Sequence, residues 1–153
     1  MREILFRGKT TKKEEEIHAF HNVWVEGDLI KNREKWHIHP KSNCFRSEKE
    51  LAKCMIAHEV IPETVGQFTG LTDKNGTKIF EGDIVKAIQT EYDEDIEQEP
   101  FIFEVIGEMI FEDACFGLKA KKCIDFYSPM WEEDNVELDV IGNIHDNPEL
   151  LGE

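Results

Sequence analysis

Residues Gln67 to Lys86 read QFTGLTDKNGTKIFEGDIVK, and the two turn signals inside them decide the fold class. Asn75-Gly76 is the strongest short hairpin signal, because a type I′ turn needs positive φ at both central residues and Asn and Gly tolerate it best. Phe68 and Leu71 precede it, and Ile79 and Phe80 follow. Glu81-Gly82-Asp83 then turns the chain again into Ile84-Val85. Two tight reversals in one short segment predict a small, highly bent antiparallel barrel. On this reading the stretch specifies backbone geometry. Gly76 matters for folding, whereas the Asp73 and Lys74 side chains are turn or surface groups that folding can spare.

Outward from this segment the pattern stays β. EILFRG (3–8) and VWVEGDLI (23–30), the latter interrupted by Gly27 and Asp28, read as strands around a turn. The charged run between them reads as a solvated loop or hairpin tip. KWHIH (35–39) alternates Trp36 and Ile38 against His37 and His39, a strand that Pro40 ends. Residues 47–61 fit two readings. Ser47 and Glu50 form a possible capping box before Leu51, Cys54, Met55 and His58 at helical spacing, while MIAHEVI also alternates with period two. The acidic run 91–99, bounded by Pro100, reads as a long exposed loop. FIFEVIGEMIFEDACFGLKA gives two apolar runs parted near Gly107, and Val136 to Ile144 gives a further one. Asn147-Pro148 breaks the pattern, leaving Leu150 and Leu151 to dock as one helical turn.

Composition bounds the function. A 153-residue chain that is 40% hydrophobic and 33% charged is a folded protein, and no apolar run approaches the length of a membrane helix. We expect one domain over 1–153, with an N-terminal β subregion (1–60) and a barrel subregion (61–153). The N-terminus has a basic start without an apolar core, so a secretory signal is not expected and the protein is expected in the cytoplasm. Cys44, Cys54, Cys115 and Cys123 are far apart, which predicts reduced thiols. With 33 acidic against 18 basic side chains the formal charge is −15, a field that repels phosphate backbones and disfavours duplex nucleic acid as a partner.

Four segments, FRG (6–8), WVEGDLI (24–30), PETVGQFTGLTDKNGTKIFEGDIV (62–85) and VIGNIHDNPELL (140–151), resemble the YopX family of phage and prophage proteins, in the family's order. The resemblance implies a mainly β, antiparallel protein with an SH3-like barrel, additional β-hairpins and at most short helices. It implies a phage or prophage origin and carries over no reaction, cofactor or catalytic residue.

The residues themselves offer few chemical sites. His37, His39, Cys44, Cys54 and His58 are zinc-ligand types within a short span, but there is no Cys-x-x-Cys and Pro40 separates the histidines from Cys44. Cys115 or Cys123 would need a base to act as a nucleophile, and His145 is the only histidine of the C-terminal half; Cys115 reads as a core residue. Acidic pairs such as Asp93 with Asp95, or Glu132 with Glu133, are expected by chance in so acidic a chain. Gly66-x-x-x-Gly70 lacks the Lys-Ser/Thr of a phosphate loop. Glu81–Val85, EGDIV, is similar to the start of a barrel strand in MazF-type toxin endoribonucleases, yet it leads into acidic sequence where RNA phosphates would sit. We therefore expect no catalytic, cofactor or metal residues, and a non-enzymatic protein that works by contact with host or phage proteins. The alternative is a MazF-like enzyme acting on nucleic acid. Self-association is a further expectation, through strand edges and apolar loop residues such as Met130 and Trp131.

Overall fold

The computed structural model describes residues 3–11, 22–41, 56–91, 101–120, 126–127 and 136–152. The chain is mainly antiparallel β and divides into two compact units, Met1–Phe68 and Thr69–Glu153.

In the first unit, β1 (Phe6–Lys9), β2 (Trp24–Asn32), β3 (Lys35–Pro40) and β4 (His58–Glu59) follow one another, and β5 (Gly66–Thr72) pairs with the free side of β1. The order is β4-β3-β2-β1-β5. The far end of β4 bends back to the end of β1. Val60 bridges Thr10, Ile61 N–H donates to the Lys9 carbonyl at 2.8 Å, and Thr11 N–H donates to the Glu59 carbonyl at 3.1 Å. Gly8, Gly27, Ile38 and Val60 lie buried on the concave side. So strong a curl leaves no room for side chains at the glycines: a Cβ on Gly8 would meet Ile38 at 3.1 Å and Val60 at 3.2 Å. Gly27 is tighter still, since a Cβ there would run into the His39 carbonyl oxygen. The Gly27-Asp28 pair therefore does not interrupt a strand. β2 runs straight through it, because glycine here admits the neighbouring backbone instead of turning its own.

The short 3-10 helix Pro62–Thr64 follows. Its Thr64 hydroxyl donates to the Ile61 carbonyl and accepts from Lys9 N–H, fixing PET to the end of β1. Of the two readings of 47–61, the strand holds for His58–Glu59; residues 47–55 lie outside the described residues.

In the second unit β5 continues to β6 (Lys78–Phe80), and β7 (Asp83–Glu91), β8 (Phe101–Glu112), β9 (Cys115–Lys119), β10 (Phe126–Tyr127) and β11 (Val136–Asn143) form a sheet of order β10-β9-β8-β7-β11. The strands expected to close an SH3-like barrel over 61–153 pair in this linear order, and among the described residues no pairing joins β10 to β11. One face packs Val85, Ala87, Met109, Phe116, Leu118 and Leu138 around Ile79. As expected, the chain after Asn147 forms a helical turn, the 3-10 helix Pro148–Leu151, which packs against β8. Its Leu150 Cδ1 lies 2.9 Å from where a Gly142 Cβ would be.

Two turns differ from expectation. The hairpin at Asn75-Gly76 forms, but only Gly76 has positive φ, at 82°. Gly76 N–H donates to the Asp73 carbonyl and Asp73 N–H to the Thr77 carbonyl, so Lys74-Asn75-Gly76 make a three-residue loop closed by a left-handed glycine. The two-residue loop with both residues at positive φ is at Asp113-Ala114, φ 50° and 63°, between the paired Glu112 and Cys115. β8 is also one strand and not two: Gly107 is paired with Val85 in mid-strand, and a Cβ there would sit 2.6 Å from the Lys119 carbonyl oxygen.

Opposite stability changes follow for two small substitutions. Ala114→Gly removes a left-handed alanine and should raise stability by about 1 kcal/mol, whereas Gly107→Ala forces β9 away and should lower it by about 1–3 kcal/mol. Urea unfolding of both variants checks this pair, and a stable Gly107→Ala would contradict the close approach of β8 and β9.

Candidate functional site

The best-patterned residues prove to be occupied by the fold. Asp73, 7% exposed, directs its Oδ1 at Asn75 N–H and Thr77 N–H, both at 2.8 Å, while its Oδ2 accepts from Val140 N–H of β11 at 3.4 Å. Lys74 N–H donates to the Leu138 carbonyl at 2.9 Å, and the Lys74 ammonium sits 3.0 Å from Asp139. The loop thus caps the outer edge of β11. Burial alone would raise the Asp73 carboxyl pKa, but the hydrogen bonds from Thr77, Asn75 and Val140 outweigh it and hold the group below the ordinary carboxylate value. The hydrogen bond and charge of Asp139 raise Lys74. This corrects the view that folding can spare the Asp73 side chain. Asp83 is buried in the same manner at the next turn, where its Oδ2 accepts from Phe80 N–H at 2.8 Å and Gly82 takes φ 81°.

The other chemical candidates are dispersed. His37 and His39 share one face of β3, paired with Ile30 and Asp28, whereas His58 pairs with Ile38 and projects from the opposite face. Cys44 and Cys54 lie outside the described residues, among which no group of three or more metal-ligand types gathers. Cys115 is half-buried at the β8–β9 hairpin, not in the core, and its thiol donates to the Glu112 carbonyl. His145 sits in an exposed turn whose N–H groups bond the Asn143 side chain. Gly66 is paired with Arg7 and Gly70 takes φ 95° in β5. Cys123, Asp93, Asp95, Met130, Trp131, Glu132 and Glu133, with most of the 91–99 run, lie outside the described residues.

What remains is a surface. The face of the second unit's sheet opposite the core carries Ile102, Glu104, Ile106, Glu108, Ile110 and Glu112, every second residue of β8. Ile102 is 67% and Ile106 38% exposed. By register Lys86 and Ile88 of β7 and Glu137 and Asp139 of β11 share this face. Lys86 bonds Glu104 at 2.7 Å. Burial pushes the Glu108 carboxyl up, Lys119 pulls it down and Glu81 pushes it up again, the net being a raised value. At the Gly142–Ile84 pair Ile84 is fully buried, and Leu150 of the 3-10 helix abuts Gly142.

The charge is divided just as unevenly. Residues 1–68 carry 12 Lys and Arg against 11 Asp and Glu, and residues 69–153 carry 6 against 22. All four arginines lie in the first unit, where Arg7 and Lys9 stand over the Trp24 ring at 4.6 and 5.8 Å. The net charge of the whole chain conceals this division, which a count by segment reveals.

Against known families, the model of the YopX protein family matches residues 5–152. The chain belongs to the YopX family. No curated protein matches it. Among solved structures it is similar to protein EF1440 from Enterococcus faecalis, with 22% identity, a TM-score of 0.50 and 99% of each chain covered, a likeness that shows the fold alone. Among the described residues of this YopX chain, no helix is long and apolar enough to cross a membrane.

The depressed Asp73 pKa has a pH consequence. A carboxyl whose folded pKa lies below its unfolded one stabilises the fold fully above the unfolded value, about 3.9, and loses that contribution as pH falls through the folded one. Asp73→Ala strands three backbone donors and should cost on the order of 1–2 kcal/mol at neutral pH. The gap between wild type and Asp73→Ala should be constant from pH 7 to about 5 and narrow below about pH 4. Denaturant melts across this range measure it, and an unchanged gap at pH 3 would dissociate Asp73 from the acid loss.

Proposed function

We propose that this YopX-family chain is a non-enzymatic accessory protein of a phage or prophage, acting through protein contact, and that the outer face of β7, β8 and β11 is the contact surface. The observation that carries this reading is a regular strand face on which half-exposed and exposed isoleucines stand in a row. Water contact with such aliphatic groups is unfavourable by roughly 25 cal/mol per Å², so their burial against a partner is a ready source of binding energy. The titratable and nucleophilic candidates support the same view from the other side, since those described are spread over separate faces and turns.

Ile102→Asp with Ile106→Asp is the test. Both side chains lie on the solvent side of β8, so the double variant should keep the wild-type melting temperature within a few degrees. Affinity capture from a lysate of the bacterial host, read by mass spectrometry, should yield protein partners with the wild type and lose them with the variant. Partners retained by a folded double variant would move the contact surface elsewhere; recovery of RNA or DNA alone would overturn the protein-contact reading.

A further inference from the structure

Resting on that reading, we infer that the outer face of the second unit selects a cationic amphipathic helix of its partner, one that lays a row of aliphatic side chains on Ile102, Ile106 and Ile88 and sets Lys or Arg against the glutamates between them.

Three observations combine. First, the polar groups interleaved with the isoleucines are predominantly acidic. Lys86 is engaged by Glu104 at 2.7 Å, Asp139 by Lys74 at 3.0 Å, and Glu108 stands opposite Lys119 of β9; carboxylates still outnumber cations on the face, and Glu112 and Glu137, with the partly compensated Glu108, are the groups an incoming cation would meet. Second, the unit behind the face carries 22 acidic against 6 basic side chains, so its field draws cations and repels anions before contact. Third, one end of this face already meets an aliphatic side chain of a helical turn, though that turn carries Glu149 and no cation. Beside its Gly142–Ile84 pair lies the turn Pro148–Leu151, with Leu150, itself 38% exposed, against Gly142. A helix of the partner with aliphatic side chains would continue that contact along β8.

The glutamates also set the specificity. A neutral or acidic helix would bury or crowd carboxylates without compensation, which costs more than the isoleucines return. Burial raises the Glu108 carboxyl even with Lys119 pulling it down, and a further Lys or Arg beside it would act in the same lowering direction.

Two designed 18-residue amphipathic peptides with one helical pattern, Leu on the apolar face and either Lys or Glu on the polar face, test this by fluorescence anisotropy on the full chain. The Leu/Lys peptide should bind at least tenfold more tightly than Leu/Glu, and more weakly as salt rises. Glu108→Lys with Glu112→Lys should weaken it at least tenfold. Glu34→Lys with Glu63→Lys, the same charge change in the first unit, should leave it within about twofold, which separates docking on the face from bulk attraction to an acidic protein. Ile102→Asp with Ile106→Asp should abolish binding. Equal affinity for both peptides, lost in the isoleucine variant, would overturn the cation selectivity and keep the face as a protein contact. Affinity untouched by the isoleucine variant would overturn both. A doubled mass in light scattering that Ile106→Asp returns to one chain would assign the face to a second copy and overturn the helix.

Discussion

The carboxylate of Asp73 is the constraint on which the second unit depends. Two oxygens on one short side chain satisfy backbone donors of the loop that contains it and of a strand remote in sequence, Val140 of β11. The loop is thereby both closed and seated. An outer sheet strand otherwise presents unpaired N–H and C=O groups that invite another chain; here Lys74 N–H takes the Leu138 carbonyl and Asp73 takes the Val140 N–H. A hydroxyl or amide at position 73 could not accept so many donors at once, which is why a charged group is buried there. Asp83 repeats the device at the following turn with Phe80 N–H.

The sequence reveals the reversals better than their geometry. Asn75-Gly76 marks a hairpin correctly, but the dipeptide is compatible with several loop lengths, and the presence of Asp at 73 shifts the choice to a three-residue loop by rewarding the N–H groups of Asn75 and Thr77. The turn with two positive φ values falls on Asp113-Ala114, where alanine carries no local signal for it, and is imposed by the pairing of β8 with β9. Glycine is ambiguous in the same way. At Gly27 and Gly107 it admits a neighbouring strand and leaves its own strand unbroken, and nothing short of the partner's position distinguishes that from a turn. Buried carboxylates are hidden by abundance: with 33 acidic residues, Asp73 and Asp83 do not stand out until their donors are known. The outer face of β8 does not show in the sequence reading, where FIFEVIGEMIFE falls into apolar runs parted near Gly107; only with Gly107 kept within the strand do Ile102, Ile106 and Ile110 fall in one row.

The segments that resemble the YopX family are those that hold the backbone together. FRG pairs with WVEG, Phe6 opposite Gly27 and Gly8 opposite Val25, and Arg7 pairs with Gly66 just after PETV. Thr64 of PET bonds Lys9, and Val140 of VIGN meets Asp73 of the central segment. Within NIHDNPELL, Asn143 bonds His145 and Asp146 before Leu150 reaches Gly142. Each motif is explained by a neighbouring motif or by its own turn. What such segments encode is a scaffold, and the resemblance therefore carries a fold without carrying an activity.

The face proposed as the contact surface lies between those segments, in Lys86 to Ile88, Ile102 to Glu112 and Glu137 to Asp139. Its alternation solves two problems together. Isoleucines four residues apart on one strand are separated by about 13 Å, and a glutamate between each pair breaks the surface into patches too small to drive indiscriminate association. The same glutamates make the face costly to cover with anything that does not neutralise them. On the proposed protein-contact reading, apolar contact then supplies affinity only to a partner whose charges match, and the glutamates that separate the isoleucines are also what would discriminate among partners.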